Sequence, residues 1–196
     1  MAVYDASTAL VVVDVQNDFA DPAGSLYVGG GEQVVETVNA EVAAAREAGA
    51  LVVFTQDWHP AETPHFVTGG GPWPVHCVGG TWGADLHPGL DAGADEPRVQ
   101  KGRGGEDGYS GFTVADPVSG QKAPTRLADL LRQRGIERVV VVGLATDYCV
   151  SATALDAARL GFATTVLRDA IRAVDLTPGD GDRSIAEMER AGVTVA

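Results

Sequence analysis

Cysteine, basic side chains and long apolar runs are all scarce in this sequence. The two cysteines, Cys77 and Cys149, are too few for a disulfide framework and indicate a reducing cytoplasm. The longest apolar runs, near residues 10–13 and 139–142, are far too short to cross a bilayer. With 14 Lys and Arg against 27 Asp and Glu, the formal net charge is −13. Such a surface repels phosphate backbones and anionic lipid, so we expect neither nucleic acid nor membrane partners.

The N-terminal segment has neither a basic region nor a cleavage-site pattern, so we expect no signal peptide and a cytoplasmic protein. Short β-branched runs then alternate with amphipathic helical patterns. Strands are predicted at 9–13, 51–55, 98–101, 138–142 and 163–167, with a short one at 193–195, and helices at 32–48, 124–134, 148–160 and 183–191.

This alternation predicts an α/β fold with a mostly parallel central sheet. The fully apolar strands indicate that both faces of the sheet are covered, which makes a three-layer α/β/α arrangement. Residues 1–196 show no linker and no internal repeat, so they are interpreted as one domain. The long stretch at 56–97 is rich in Gly, Pro, His and Trp, and loops of that length are usually functional. Residues 116–123 are typical of a surface hairpin or turn.

Polar residues follow three of the predicted strands. Asp14, Asp57 and Lys101 stand at or just past strand ends, and in parallel sheets ligands bind outside the carboxyl ends of the strands. Cys149 begins a predicted helix, where the backbone N–H groups and a nearby ammonium favour a thiolate. Each residue alone is more common as a core, turn or surface residue. Their convergence at one edge predicts a nucleophile with an acid/base partner.

A carboxylate and three imidazoles fall within twenty residues of one another. Asp57 and His59 lie two apart on one side of an extended segment, and His65 and His76 follow in the same loop. These ligand types suit zinc, iron or manganese. Histidines near Trp and Pro also pack or cap turns, and the spacing matches no standard structural-zinc pattern, so the spacing alone leaves both interpretations open. His87 is interpreted as structural.

Seven motifs, in order along the chain, resemble those of the nicotinamidase branch of the isochorismatase-like cysteine hydrolases. They are VVVDVQNDF at 11–19, QDWH at 56–59, PHF at 64–66, WPVHCVGGTWGADLHPGL at 73–90, KG at 101–102, YSGF at 109–112 and GLATDYCV at 143–150. The resemblance covers essentially the whole chain and implies an isochorismatase-like α/β/α fold. It also places Asp14, Lys101 and Cys149 on the family's catalytic triad.

The same resemblance implies one divalent metal ion, zinc, iron or manganese, and a pocket for an aromatic ring. Phe19 and Trp73 fall on the walls that enclose the substrate ring. Leu144–Ala145 falls on a cis peptide, and the N–H groups of Ala145 and Cys149 fall on the oxyanion hole. Tyr148 precedes the nucleophile, where some members of the family have His. The four implied metal ligands are Asp57, His59, His65 and His76.

The activity implied by the resemblance is hydrolysis of nicotinamide to nicotinate and ammonia through a cysteine thioester, as in NAD salvage, and pyrazinamide is a related substrate. Two alternatives stay open: a relative of the same family that acts on another amide or on isochorismate, and a metal-binding module without enzymatic activity. The sequence also leaves open the identity of the metal and whether the chain forms a homo-oligomer.

Overall fold

Six parallel strands form the central sheet of the computed structural model, which describes residues 4–196. Two further strands pair in an antiparallel hairpin. In chain order the strands are β1 (Thr8–Val13), β2 (Leu51–Asp57), β3 (Arg98–Lys101), β4 (Thr113–Ala115), β5 (Lys122–Pro124), β6 (Arg138–Leu144), β7 (Ala163–Arg172) and β8 (Thr194–Val195). The order across the sheet is β3-β2-β1-β6-β7-β8, and β4 with β5 forms the hairpin.

Helices cover both faces of this sheet. They are α1 (Asn17–Ala20), α2 (Val34–Glu47), α3 (Leu127–Gln133), α4 (Ser151–Arg159) and α5 (Asp180–Arg190). Along β1 the apolar side chains alternate between the two faces: Leu10 and Val12 pack with α2, whereas Val11 and Val13 pack with α3, α4 and α5. All six residues of β1 are buried, as expected for a strand covered on both sides. The predicted three-layer α/β/α class is therefore confirmed.

The sheet strands run longer than their apolar cores. β2 continues to Asp57, β6 to Leu144 and β7 to Arg172, so Asp57 belongs to its strand and not to the loop that follows. Near the end of β6, Gly143 adopts φ 112°, and a Cβ there would lie 2.1 Å from the carbonyl oxygen of Val13. Glycine is required at this point because β1 and β6 approach each other closely.

Two helix predictions need correction. The helix predicted from residue 124 begins three residues later, because Pro124 pairs with Thr113 in β5. The helix predicted over 148–160 begins as a π-helical turn, Thr146–Val150, and becomes α-helical only at Ser151. In this turn the Val150 N–H donates to the carbonyl of Ala145 at 3.0 Å, five residues back, which widens the turn.

The chain between β2 and β3, which was predicted to be a long loop, is a long loop in the structure. Between β2 and β3 the structure has only short 3₁₀ turns, at Val67–Gly69 and Trp82–Ala84. The hairpin predicted around 116–123 is present as the connection between β4 and β5, whereas the short helix α1 was not predicted. Within residues 4–196, none of the helices combines the length and apolarity that crossing a bilayer requires.

Candidate active site

The charged residues predicted to meet at the sheet edge do so around one ammonium group. Lys101, the last residue of β3, donates through Nζ to Asp14 Oδ2 at 2.6 Å and lies 2.8 Å from Asp57 Oδ1. The same nitrogen is 3.5 Å from Cys149 Sγ and donates to the carbonyl of Tyr109 at 3.2 Å. All four side chains that meet here are almost completely buried: Asp14, Asp57, Lys101 and Cys149.

Asp14 follows β1 in a left-handed backbone conformation, with φ 48°. Its second oxygen, Oδ1, accepts a hydrogen bond from the Thr55 hydroxyl at 2.6 Å. Thr55 lies two residues before Asp57 in β2, so both side chains point to the same face of the sheet. Lys101 and Thr55 together hold the Asp14 carboxylate in one orientation toward Cys149.

The two carboxylates differ in acidity although they share one lysine. Burial raises the pKa of Asp14, and the negative charge of Asp57 raises it further, against the effect of Lys101. Burial also acts to raise the pKa of Asp57, but Lys101 and the imidazoles of His59 and His76 outweigh it and lower that pKa. Burial would lower the pKa of Lys101, yet the two carboxylates raise it well above its ordinary value. Asp14 is therefore the carboxyl group suited to carrying a proton.

Cys149 lies in the π-helical turn after β6. Burial raises the pKa of its thiol; Lys101 opposes this, and Asp14 and Asp57 add to it. The lowered pKa expected from the helix start and the lysine is therefore not found, because desolvation outweighs both. A raised pKa favours the neutral thiol, so removal of its proton calls for a base beside it. The other cysteine, Cys77, is fully buried, and its N–H donates to Asp18 Oδ2 at 2.7 Å.

Three buried imidazoles converge next to Asp57. One ring nitrogen from each of His59, His65 and His76 lies within 4.8 Å of the others. Asp57 Oδ2 lies 3.9 Å from Nε2 of His59 and from Nε2 of His76, too far for a hydrogen bond. His76 Nδ1 contacts the carbonyl of Pro74 at 2.7 Å, which fixes this nitrogen as the donor and leaves the Nε2 lone pair free.

These residues fit a metal ion. Neither ring nitrogen of His59 has a hydrogen-bond partner among the described residues, although both are buried. Buried polar atoms are rarely left without partners, and a cation between converging lone pairs would satisfy them. His65 Nδ1 lies 2.9 Å from Asp107 Oδ1, but it too has no hydrogen-bond partner among residues 4–196.

A pocket of about 480 Å³, a volume that includes its open mouth, lies beside the thiol. Three predicted site residues do not line the pocket. Asp14 and Lys101 lie next to Cys149, and His59 belongs to the imidazole cluster. The predicted site residues that line the pocket are Phe19, Asp57, His65, Trp73, His76, Leu144, Ala145, Tyr148 and Cys149. The peptide between Leu144 and Ala145 is cis, as the resemblance implied.

Several residues of the site were not assigned a role from the sequence. Tyr109 lines the pocket, and its hydroxyl accepts a hydrogen bond from Trp73 Nε1 at 3.1 Å. Thr55 contacts Asp14, and Asp107 contacts His65. Tyr109 opens the YSGF motif, and Thr55 shares the face of Asp57 on its strand, so motif position and two-residue periodicity were the signals available.

Comparison with known proteins agrees with this geometry. The family model described as the isochorismatase domain matches residues 8–196. A nicotinamidase/pyrazinamidase of Mycobacterium tuberculosis is 44% identical over 187 residues, which cover 92% of each chain. A pyrazinamidase of Pyrococcus horikoshii, solved in complex with zinc, has a TM-score of 0.86 at 40% identity and covers 97% of this chain and 98% of its own.

A third protein, PnC1 of L. infantum, was solved in complex with nicotinate. It has a TM-score of 0.90 at 39% identity and covers all of this chain and 95% of its own. The family model spans nearly the whole sequence, and all three relatives are at least 39% identical to this chain over at least 92% of its length. This chain belongs to the isochorismatase family.

Proposed function

We propose that this protein is a nicotinamidase, an amidohydrolase that converts nicotinamide to nicotinate and ammonia. One observation carries the proposal: a buried thiol, next to an aspartate with a raised pKa, opens into a pocket walled by aromatic rings and imidazoles. A flat neutral ring that bears a carboxamide fits this combination of walls and nucleophile. The similar proteins described as nicotinamidases and pyrazinamidases support the same substrate class.

The thioester forms in the first half of the reaction. Asp14 takes the proton of the Cys149 thiol, and the sulfur forms a bond to the amide carbon. The carbonyl oxygen becomes an oxyanion, which the backbone N–H groups of Ala145 and Cys149 stabilise by about 3–4 kcal/mol per donor. Asp14 then gives its proton to the amide nitrogen, the C–N bond breaks, and ammonia leaves.

Water completes the reaction in the second half. Asp14 takes a proton from water, and the oxygen attacks the thioester carbon. The C–S bond breaks, the proton returns from Asp14 to Cys149, and nicotinic acid leaves as nicotinate. Throughout, the positive charge of Lys101 stabilises the thiolate and the carboxylates in a site from which bulk water is excluded.

Asp57, His59, His65 and His76 are the residues that would hold one divalent metal ion. When bound, such an ion supplies a Lewis acid that can take a pyridine nitrogen or a water molecule as a further ligand. The buried imidazole nitrogens without partners support this assignment.

The proposal also covers the domain organisation, the location and the partners of the protein. Residues 1–196 form one catalytic domain, located in the cytoplasm, with a small-molecule substrate and no nucleic acid or membrane partner. The net charge of −13 supports the absence of polyanionic partners. Whether the chain forms a homo-oligomer stays open.

The test combines an assay of nicotinamide deamidation with metal analysis of the same sample. We expect equal amounts of nicotinate and ammonia from a preparation that carries about one metal ion per chain. Chelation should remove both metal and activity, and zinc, iron or manganese should restore them. Full activity in demonstrably metal-free protein would exclude a catalytic role for the ion, and a metal-loaded enzyme that releases no ammonia would contradict the proposed substrate.

A further inference from the structure

The side chain of Gln16 holds the peptide groups of Asp57. Gln16 Nε2 donates to the carbonyl oxygen of Asp57 at 2.7 Å and to that of Ala84 at 2.9 Å. Its Oε1 accepts the N–H of Asp57 at 2.7 Å. Gln16 is completely buried, so no water competes for these bonds. Both backbone polar groups of Asp57 are thus bonded to one side-chain amide.

A side chain is needed here because the neighbouring strand has already ended. β1 pairs with β2 as far as the register Val12↔Phe54, whereas β2 continues to Asp57. On its other side Asp57 pairs with Lys101 of β3. A primary amide has the same donor and acceptor as a peptide group. Gln16 therefore takes the place of the strand residue that β1 no longer supplies.

The orientation of Asp57 matters because its carboxylate faces two parts of the site. Oδ1 lies 2.8 Å from Lys101 Nζ, and Oδ2 lies 3.9 Å from Nε2 of both His59 and His76. A rotation of the Asp57 peptide would move both oxygens, one away from the lysine and the other away from the imidazoles. Without Gln16, only the β3 side would hold this peptide.

We propose that Gln16 is a positioning residue that orients Asp57 for metal binding, a role that rests on the metal site of the proposed function. Gln16 is not among the residues that line the pocket, and within residues 4–196 it makes no side-chain hydrogen bond to an imidazole. It acts through the backbone of one ligand, and metal affinity should report this more directly than turnover does. Outer residues that orient metal ligands typically change affinity by about 10–100-fold when they are replaced.

Gln56 provides a matched control. It is also a buried glutamine, it adjoins Asp57 in the chain, and its Nε2 donates to the same Ala84 carbonyl at 3.0 Å. It makes no side-chain hydrogen bond to the Asp57 peptide within residues 4–196. Replacing either glutamine by glutamate removes the donor to Ala84, and only Gln16→Glu also removes the donor to Asp57.

The experiment transfers zinc from the loaded wild-type, Gln16→Glu and Gln56→Glu proteins to a chromogenic chelator. We expect the zinc affinity of Gln16→Glu to fall by about 10–100-fold and that of Gln56→Glu to change by less than about threefold. The visible absorption of the Co²⁺-substituted proteins gives a second reading, because it responds to ligand geometry. It should change in Gln16→Glu and match the wild type in Gln56→Glu.

Equal zinc affinities for the two variants would overturn the proposal. Where Gln16→Glu does not fold, Gln16→Met gives the same test, since it leaves the Asp57 peptide without partners and adds no charge. If neither Gln16 variant folds, the residue supports the whole fold and the proposal is wrong. A wild-type chain that takes up no zinc or Co²⁺ would instead remove the metal site itself, which separates that failure from this one.

Discussion

The charges of the active site are balanced around Lys101, which is only 1% exposed. Two carboxylates, Asp14 and Asp57, approach its ammonium to 2.6 and 2.8 Å. Removing one member of such a buried group leaves uncompensated charge, which costs several kcal/mol. Isosteric replacements are the informative ones at these positions, because they keep the size and shape of the side chain, and their folding must be checked separately from their activity.

Asp14→Asn is such a replacement. Asn tolerates the left-handed φ of 48° found here, but it cannot take a proton from Cys149. Its single oxygen can accept from Lys101, and its NH₂ group then faces the Thr55 hydroxyl, which can turn to accept from it. We expect kcat for nicotinamide to fall by about 10²–10⁴-fold, the usual contribution of a general acid–base group. Nicotinate binding measured by calorimetry should persist. A variant with wild-type kcat would show that another group moves the proton.

The pH profile tests the same residue in the unmodified enzyme. Asp14 accepts a proton only when it is ionised, and burial raises its pKa above the ordinary value of 3.8. kcat/KM should therefore rise with pH through this raised pKa and be low below it. An acid limb near 3.8 would contradict the assignment, because it would indicate an exposed carboxyl group.

The two cysteines should differ sharply in reactivity. Burial raises the pKa of both thiols, but Cys149 lines the pocket, whereas Cys77 is fully enclosed. Iodoacetamide at neutral pH should label Cys149 first and stop turnover, and peptide mass spectrometry identifies the site. Cys149→Ala should lower kcat by about 10⁴-fold or more, and Cys77→Ala should retain activity. Turnover that survives complete labelling of Cys149 would show that Cys149 is not the nucleophile.

Residues at strand ends could be found from the sequence, and their partners could not. Asp14, Asp57 and Lys101 each stand at or just past the end of a predicted strand, and the parallel topology brings these strand ends together. Thr55 and Gln16 were not found, because their contacts depend on strand register and on where β1 stops. Those features are set by tertiary packing, not by local pattern.

At the scale of elements, the π-helical turn Thr146–Val150 is fastened to the segment after β7 by one carboxylate. Asp147 Oδ1 accepts the N–H of Val174 and Oδ2 accepts the N–H of Asp175, both at 2.9 Å. Val174 lines the pocket, and Asp147 lies two residues before Cys149. Asp147 thus joins the turn that carries the nucleophile to one wall of the substrate pocket.

Asp147→Asn should loosen this wall. An amide offers one acceptor oxygen, so its NH₂ group faces one of the two N–H donors. Hydrogen bonds to charged groups contribute about 1.5–3 kcal/mol, and we expect a loss of this size in the free energy of unfolding. The KM for nicotinamide should rise several-fold with a smaller change in kcat. Asp156→Asn, on α4 and away from this pocket, is the control. Equal KM values for the two variants would contradict the role.

The ends of elements were harder to predict than their centres. The apolar cores of β2 and β6 were identified, but both strands continue through polar or small residues to Asp57 and Leu144. The last three residues of the turn Thr146–Val150 were predicted as the start of an ordinary helix. Its wider geometry comes from the Ala145 carbonyl, which accepts N–H groups from both Tyr148 and Val150.

At the scale of the whole molecule, the site lies where the strand order reverses. The chain leaves β1 toward its neighbour β2 on one side, whereas it leaves the adjacent strand β6 toward β7 on the opposite side. Crevices form at such switch points. Asp14 follows β1 and Cys149 follows β6, so base and nucleophile come from the two strands that border the crevice. The fold therefore brings together residues that are 135 positions apart in the sequence.

Substrate selection tests the complete pocket. In the proposed function the flat ring of nicotinamide lies between the aromatic walls, its carboxamide faces Cys149, and we expect its ring nitrogen on the side that carries the imidazole cluster. Benzamide keeps the ring and the amide but lacks the nitrogen. Losing one such polar contact in a buried pocket costs about 1.5–3 kcal/mol. We therefore expect kcat/KM for benzamide to be at least about 10–100-fold lower than for nicotinamide. Pyrazinamide, which keeps a nitrogen in the same position, should be hydrolysed like nicotinamide.

Picolinamide is the matched control for this comparison, because it keeps a pyridine nitrogen and moves it next to the carboxamide. If the pocket reads the position of the nitrogen, picolinamide should react as poorly as benzamide in an assay of ammonia release. Equal rates for nicotinamide and benzamide would mean that the imidazole side does not contact the ring. If neither is hydrolysed while Cys149 still reacts with iodoacetamide, the thiol is active and the natural amide has a different shape.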